Sequence, residues 1–204
     1  MRRAAPAAFL PALLALAGCA SAPPEDVDNL CAIFEEKPRW YRDARAAERD
    51  WDIPVPVLMA FLHQESRFES RARPPRKKIL GFIPGPRPSD AYGYSQALRG
   101  TWRDYQRAAG RYGADRDDFG DAVHFVGWYN AESRRRNGIG SDDAYRLYLA
   151  YHEGQGGYAR GTWRGKSWLQ QVARKVARRA QRYDRQLRGC AGRLRERRGW
   201  FRWL

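Results

Sequence analysis

The sequence predicts a mainly α-helical protein, and two observations carry the prediction. In the stretch "VLMAFLHQESRF", Leu58, Leu62 and Glu65 share one helical face, and a similar periodicity recurs along most of the chain. Gly-rich connectors such as "RNGIGSDD" and "EGQGGYARG" separate these segments, while strand-like alternation is scarce. The 204 residues are enough for one domain with a proper core and short appendages.

Residues 1–18 have the pattern of an export signal. Arg2 and Arg3 precede the apolar stretch "AAFLPALLALAG", which is too short to span a bilayer as a mature helix. The end of this stretch together with Cys19, "LAGC", resembles the lipobox of bacterial lipoproteins, which implies that Cys19 is lipidated. An ordinary secreted protein with a chance Cys19 is the alternative. In bacteria with two membranes, Ala20 after the cysteine implies the periplasmic face of the outer membrane.

Two further cysteines lie at the ends of the expected folded domain. Residues 19–30 predict a tether of small residues, Pro and acids, and residues 31–190 the domain itself. With Cys19 lipidated, Cys31 and Cys190 form an even pair in an oxidising compartment, so we expect a disulfide between them. Two buried free thiols are the alternative. The three His are far apart and the Cys scattered, so we expect no metal site and no cofactor.

The helices can be placed in chain order. They are predicted at about 38–50, from Val57 through the apolar run, and at about 101–109, 119–136, 142–152 and 167–187. Asp52 is expected to cap the second of these, with Pro54 and Pro56 in its first turn. The stretch 71–88 holds five of the 12 prolines, which excludes a helix. It predicts a small Pro-rich flap or hairpin, with a disordered loop as the alternative.

The net charge of +15 is unevenly distributed. Residues 160–204 hold 15 of the 38 Lys and Arg but only two acids, Asp184 and Glu196. A nucleic-acid binder that is basic throughout does not show this asymmetry, and we expect no nucleic-acid partner. The stripe that includes Val172 and Val176 predicts a basic, amphipathic C-terminal helix packed on the domain. Its basic face would hold anionic peptidoglycan stems or lipid head groups, or would simply be solvated.

The last residues, 191–204, form a basic tail with Trp200, Phe201 and Trp203. Aromatic residues among Arg residues are typical of membrane interfaces. A frayed helix end is the alternative.

Glu65 stands where an apolar helix ends. A carboxyl group at the edge of an apolar environment has a raised pKa because its charged form is poorly hydrated there. Such an acid can protonate a glycosidic oxygen. A solvated carboxylate that merely ends the helix is the alternative.

Three short motifs occur in one order along the chain: "ESRF" (65–68), "SDAYGYSQ" (89–96) and "AYHEG" (150–154). They resemble the catalytic Glu-Ser, second and third motifs of soluble lytic transglycosylases, over about residues 54–163. The resemblance implies a lysozyme-like (SLT-type) helical domain related to goose-type lysozyme. The chain departs from the family pattern at Tyr94, Ser95, His152 and Glu153. A further "WYNAE" (128–132) precedes the expected position of the third motif and is interpreted as a decoy inside a helix.

The resemblance implies roles for individual residues. Glu65 would be the sole catalytic acid and base, and Ser66 would contact the substrate N-acetyl group or orient Glu65. Substrate binding is further expected of Gly93, Tyr94, Gln96, Tyr151 and His152. Tyr151 has a second interpretation as a core aromatic, since "YRLYLAY" carries three tyrosines in seven residues.

The expected activity is that of a peptidoglycan lytic transglycosylase. Such enzymes cleave the β-1,4 bond between N-acetylmuramic acid and N-acetylglucosamine and close a 1,6-anhydro ring with one Glu. A hydrolytic muramidase that uses Glu153, Asp121 or Glu132 as second carboxylate is one alternative. A catalytically inactive peptidoglycan-binding lipoprotein is the other. The expected partners are glycan strands and, through the lipid, a membrane, while the oligomeric state stays open.

Overall fold

Seven helices and one two-stranded hairpin make up residues 22–79 and 83–200, the part of the chain that this computed structural model describes. The helices are α1 (Leu30–Glu36), α2 (Pro38–Trp51), α3 (Val55–Ser66), α4 (Arg99–Ala108), α5 (Phe119–Asn137), α6 (Ala144–Arg160) and α7 (Ser167–Trp200). The strands are β1 (Lys78–Ile79) and β2 (Ile83–Pro84). The prediction of a mainly helical domain is confirmed.

Helix α3 is the central element of the core. All of its residues from Val55 to His63 are buried, and it packs against α2, α5 and α7. The expected cap by Asp52 is wrong, because Asp52 ends α2 in a left-handed conformation with φ 53°. The first free N–H of α3 is instead satisfied by Glu48, whose carboxylate accepts from Val55 N at 3.0 Å. An acid at a helix N-terminus also complements the helix dipole.

Helix α7 lies along one side of the domain and packs on α3, α6 and α1. It begins at the predicted residue, but it continues to Trp200, so residues 191–200 extend the helix instead of forming a separate tail. Of the predicted apolar stripe, Val176, Ala180 and Tyr183 are buried and Val172 and Leu187 are partly buried, whereas Trp168 is exposed. Leu169 and Ala173, which were not in the predicted stripe, are fully buried. Phe201 and Trp203 of the predicted aromatic tail lie outside the described residues.

A short helix that was not predicted, α1, joins the N-terminal segment to α7. Its N-cap is Asn29, whose side chain accepts from the backbone N–H groups of Cys31 and Ala32. The predicted tether therefore ends before residue 30, because Leu30 is fully buried. A disulfide joins Cys31 to Cys190, with Cα atoms 6.1 Å apart, and so links α1 to α7. Cys19 and the signal segment lie outside the described residues.

The Pro-rich insert takes the form of a hairpin. Strands β1 and β2 pair antiparallel, with Lys78 opposite Pro84. The backbone bonds between Lys77 and Gly85 and between Lys77 and Pro86 extend this pairing beyond the strands. Residues 80–82 lie outside the described residues.

Helix α6 extends beyond its predicted end near His152. It continues to Arg160 through a break at Gly154, whose φ of 73° and ψ of 157° are not helical. A residue with a side chain is strained at this φ, which is why a glycine stands there. The break lies inside the motif "AYHEG", so the helix turns just after Tyr151 and His152.

Candidate active site

Glu65 lies in the last turn of α3, where the buried helix reaches the surface. The two residues that follow the end of α3, Arg67 and Phe68, both have positive φ, 52° and 65°. Phe68 is fully buried and its ring centroid lies 5.7 Å from that of Trp40. The chain therefore reverses abruptly behind Glu65, and core packing of Phe68 compensates for a backbone conformation that costs a non-glycine residue free energy.

The environment of Glu65 is largely apolar, and its side chain is half-buried. Burial raises the pKa of the Glu65 carboxyl from an ordinary 4.5 to about 7, because the ionised form loses hydration. A hydrogen bond from the Tyr148 hydroxyl acts in the opposite direction and lowers this pKa. The two effects together place the titration of Glu65 near neutral pH. A general acid or base works best in that range.

Helix α6 supplies the aromatic side of the site. Tyr148 bonds to Glu65, and its pKa is raised by burial and by the nearby carboxylate. Tyr151, three residues further, donates from its hydroxyl to the Ser95 carbonyl oxygen at 2.7 Å. Both rings pack edge-on against Phe61, with centroids 5.3 and 5.4 Å away. Tyr151 therefore packs against the core, and its hydroxyl also holds the second motif in place.

The second motif forms a tight loop, and Gly93 is the residue that allows it. Gly93 has φ 76°, and a Cβ built there would lie 2.0 Å from the Arg116 carbonyl oxygen. Its N–H donates to the Ala72 carbonyl at 3.0 Å. The Gln96 side chain donates to the carbonyl oxygens of Ala72 and Gly93, at 3.0 and 2.8 Å. Gly93 and Gln96 thus hold the loop against the chain that follows Glu65.

Two predicted substrate-binding side chains face the protein interior. The Tyr94 ring is 1% exposed and packs edge-on against Trp40 and Phe119, so it belongs to the core. Ser66 is 8% exposed, and its hydroxyl donates to the Leu62 carbonyl of its own helix at 3.2 Å. Burial of the Tyr94 ring removes apolar surface from water. The Ser66 hydroxyl can be buried because the Leu62 carbonyl accepts its hydrogen bond.

An exposed aromatic wall continues the site along α6. His152 lies one helical turn beyond Tyr148 and is exposed, as expected of a substrate-binding residue. Its ring meets that of Trp168 at 5.1 Å in an edge-on arrangement. Trp168 is 54% exposed, which is unusual for so large an apolar side chain.

The three carboxylates considered as second catalytic groups are engaged elsewhere. Glu153 accepts from Lys166 at 2.8 Å and also from Thr162 and His152; although burial opposes the effect, these bonds lower its pKa to about 2. Asp121 accepts from Asp115 N at 3.0 Å and pairs with an Arg at 3.4 Å. Glu132 pairs with two Arg residues of its own helix.

The stretch "WYNAE" lies wholly inside α5, as the decoy interpretation requires. Its Tyr129 nevertheless approaches the site, with its ring centroid 5.0 Å from that of Tyr151. Sequence reasoning missed Tyr148 and Trp168. The spacing of three between Tyr148 and Tyr151 was a usable signal for the first, since such residues share a helix face. No comparable signal pointed to Trp168, because its position depends on how α7 packs on α6.

Within residues 22–79 and 83–200, no group of His, Cys, Asp and Glu side chains is arranged to hold a metal ion. In the same described part of the chain, no helix has the length and apolarity needed to cross a membrane.

Comparison with known proteins places these features in a family. A family model described as "Transglycosylase SLT domain" matches residues 7–190, which is most of the chain. A search of curated proteins finds no match.

Proposed function

Since the chain belongs to the transglycosylase SLT domain family and so has a peptidoglycan-acting function of lytic transglycosylase type, we propose that it cleaves glycan strands with a single catalytic carboxyl group, Glu65. The bond cleaved is the β-1,4 linkage between N-acetylmuramic acid and N-acetylglucosamine. The product carries a 1,6-anhydro ring on the muramic acid.

The observation that carries the proposal is the state of Glu65. Its pKa of about 7 lets the same carboxyl group hold a proton before bond cleavage and accept one afterwards. The hydrogen bond from Tyr148 stabilises the carboxylate that exists between these two transfers.

The chemistry needs two proton transfers. In the first, protonated Glu65 gives its proton to the glycosidic oxygen as the bond from this oxygen to C1 breaks, while the N-acetyl carbonyl oxygen of the muramic acid bonds to C1. In the second, the Glu65 carboxylate takes the proton of the C6 hydroxyl, whose oxygen replaces the N-acetyl oxygen on C1. No water enters, and Glu65 ends protonated as it began. The substrate's own N-acetyl group takes the place of a second carboxylate.

Substitution of Glu65 by Gln tests this scheme. Glu65→Gln keeps the shape but cannot transfer a proton, so turnover on purified peptidoglycan should fall by about two to four orders of magnitude. Glu153→Gln is the matched control, because it removes a carboxylate from the same region but not from the proposed chemistry. Its turnover should stay near wild type.

Mass spectrometry of the digest identifies the reaction. Muropeptides that end in 1,6-anhydro-N-acetylmuramic acid, lighter by one water than the hydrolytic product, support the proposal. Reducing ends would mean a muramidase with a second carboxylate. Absence of digestion by wild type would favour the binding-only lipoprotein.

We also propose that Cys19 carries the lipid that holds the protein at the periplasmic face of the outer membrane. The support is the order of charged start, apolar run and "LAGC" in the sequence. Metabolic labelling with a fatty acid should mark the wild-type chain and not Cys19→Ser. Label on both, or on neither, would contradict the proposal.

A further inference from the structure

We propose that the exposed face of α7 is a docking surface for the anionic phospholipid head groups of a membrane. Four residues define this surface: Arg174, Lys175, Arg178 and Arg185. The choice of a lipid surface rests on the proposed lipid at Cys19, but the inference is independent of catalysis by Glu65.

The two faces of α7 are sharply different. The face toward the domain is apolar and buried at Leu169, Ala173, Val176, Ala180 and Tyr183. The four residues of the docking surface are all exposed and lie on the opposite side of the helix. From residue 174 to 185 they extend over roughly 17 Å, at 1.5 Å per residue. The result is a straight basic ridge on the outside of the molecule.

Few acidic side chains balance the positive charge of the docking surface. Asp28 pairs with Arg179 and Arg182, at 3.2 and 3.0 Å, along one flank of the helix. Asp184 pairs with Arg188. Among the described residues, no acid forms an ion pair with any of the four residues of the docking surface. A concentration of unpaired cations favours an anionic partner.

The N-terminal segment lies on the same helix. The Tyr183 hydroxyl donates to the Val27 carbonyl, and Gln186 donates to the Asp28 carbonyl at 3.1 Å. Val27 lies eight positions after Cys19 in the chain, which limits their distance to about 29 Å at full extension. A lipid on Cys19 would therefore keep α7 within reach of the membrane. This continuity, more than charge alone, favours a lipid surface over anionic peptidoglycan stems.

The placement also leaves the candidate active site accessible. Helices α3 and α6, which carry Glu65 and Tyr148, pack on the buried side of α7. A membrane that meets the outer face of α7 would therefore not cover that side of the helix. The protein could then bind the membrane through α7 while glycan strands reach Glu65 from the other side of the domain.

A vesicle-binding experiment tests the proposal. The chain from residue 20 onward keeps every described element and lacks the lipid on Cys19, so its binding reports the surface alone. It should cosediment with vesicles that contain phosphatidylglycerol and not with vesicles of phosphatidylcholine. Binding should weaken strongly toward 1 M salt, where the Debye length falls to about 3 Å.

A pair of triple variants separates the surface from the net charge. Arg174→Gln, Lys175→Gln and Arg178→Gln together should weaken binding roughly a hundredfold, at about fivefold for each cation removed near an anionic surface. The matched control replaces Arg99, Arg103 and Arg107 of α4, also exposed, by Gln and should change binding less than about threefold.

Three results would overturn the proposal. One is equal binding to both kinds of vesicle. Another is an equal loss in the two triple variants, which would reduce the effect to net charge. The third is that neither wild type nor the α7 triple variant binds vesicles, while the variant binds purified peptidoglycan more weakly than wild type. That result would assign the surface to peptidoglycan. Activity on soluble glycans, measured in parallel, distinguishes each result from a failure of the catalytic proposal.

Discussion

Replacing Glu65 by Gln should make the protein more stable at neutral and alkaline pH. The pKa of Glu65 is raised by burial to about 7 in the folded chain, against an ordinary value of 4.5. Folding therefore disfavours the ionised carboxylate. A Gln of the same shape never ionises, so it removes that cost.

The size of the effect follows from the two pKa values. Below about pH 4.5 Glu65 is protonated in both the folded and the unfolded chain, so the substitution should have little effect. Between pH 4.5 and about 7 the unfolded chain ionises while the folded chain keeps its proton, and the wild type loses stability. Above pH 7 the loss is complete and amounts to about 3 kcal/mol, at 1.36 kcal/mol per pKa unit.

The assay is denaturant unfolding of both proteins from pH 4 to 9, approximately, with the disulfide intact. The difference in the free energy of unfolding should rise from near zero to about 3 kcal/mol in favour of Glu65→Gln. Glu153→Gln should show the opposite sign, because the bonds from Lys166, Thr162 and His152 lower the pKa of Glu153 to about 2. That variant should be less stable than wild type above pH 4.5, and the deficit should shrink in acid.

A pH-independent difference between wild type and Glu65→Gln would refute the reasoning. It would mean that Glu65 has an ordinary pKa and that the effect of the substitution comes from packing. The proposal that Glu65 alone donates and then accepts a proton at neutral pH would then lose its physical basis.

Three other changes have definite expected results. Tyr148→Phe removes a bond that lowers the pKa of Glu65, so the alkaline limb of the pH–rate profile should move to higher pH; an unmoved limb would contradict this. Cys31→Ser with Cys190→Ser should lower the free energy of unfolding by about 5 kcal/mol, and free thiols in the exported wild type under non-reducing conditions would contradict the bridge. Replacing the hairpin residues 76–86 by a short Gly/Ser turn should leave the fold intact and alter glycan cleavage, because the hairpin directly joins the helix of Glu65 to the Gly93 loop. Unchanged kinetics on long and short glycans would contradict this.

Local patterns sufficed for six of the seven helices in the described residues, all but α1, and for the position of the acid. The apolar run before Glu65 places Leu58, Leu62 and Glu65 on one helical face, and the prolines before it suit a first helical turn. The basic stripe of α7 was predictable for the same reason. The helix boundaries were harder to predict. Asp52 has a side chain suited to capping, yet it ends α2 in a left-handed conformation. The carboxylate of Glu48 instead accepts from the first free N–H of α3.

Contacts between distant segments were decided only by the tertiary structure. Tyr94 follows the motif glycine and was expected in a sugar groove, but the packing of α2 against α5 buries its ring between Trp40 and Phe119. Tyr148 was one of three similar tyrosines, and only the approach of α6 to α3 joins it to Glu65.

The sequence by itself therefore determined where the six longer helices lie and which carboxyl group stands at the edge of an apolar one, because periodicity and hydrophobicity act within a single segment. The tertiary structure alone decided the strength of that acid and the identity of its partner. Both depend on burial and on a hydrogen bond between α3 and α6, which are about 80 residues apart in the chain.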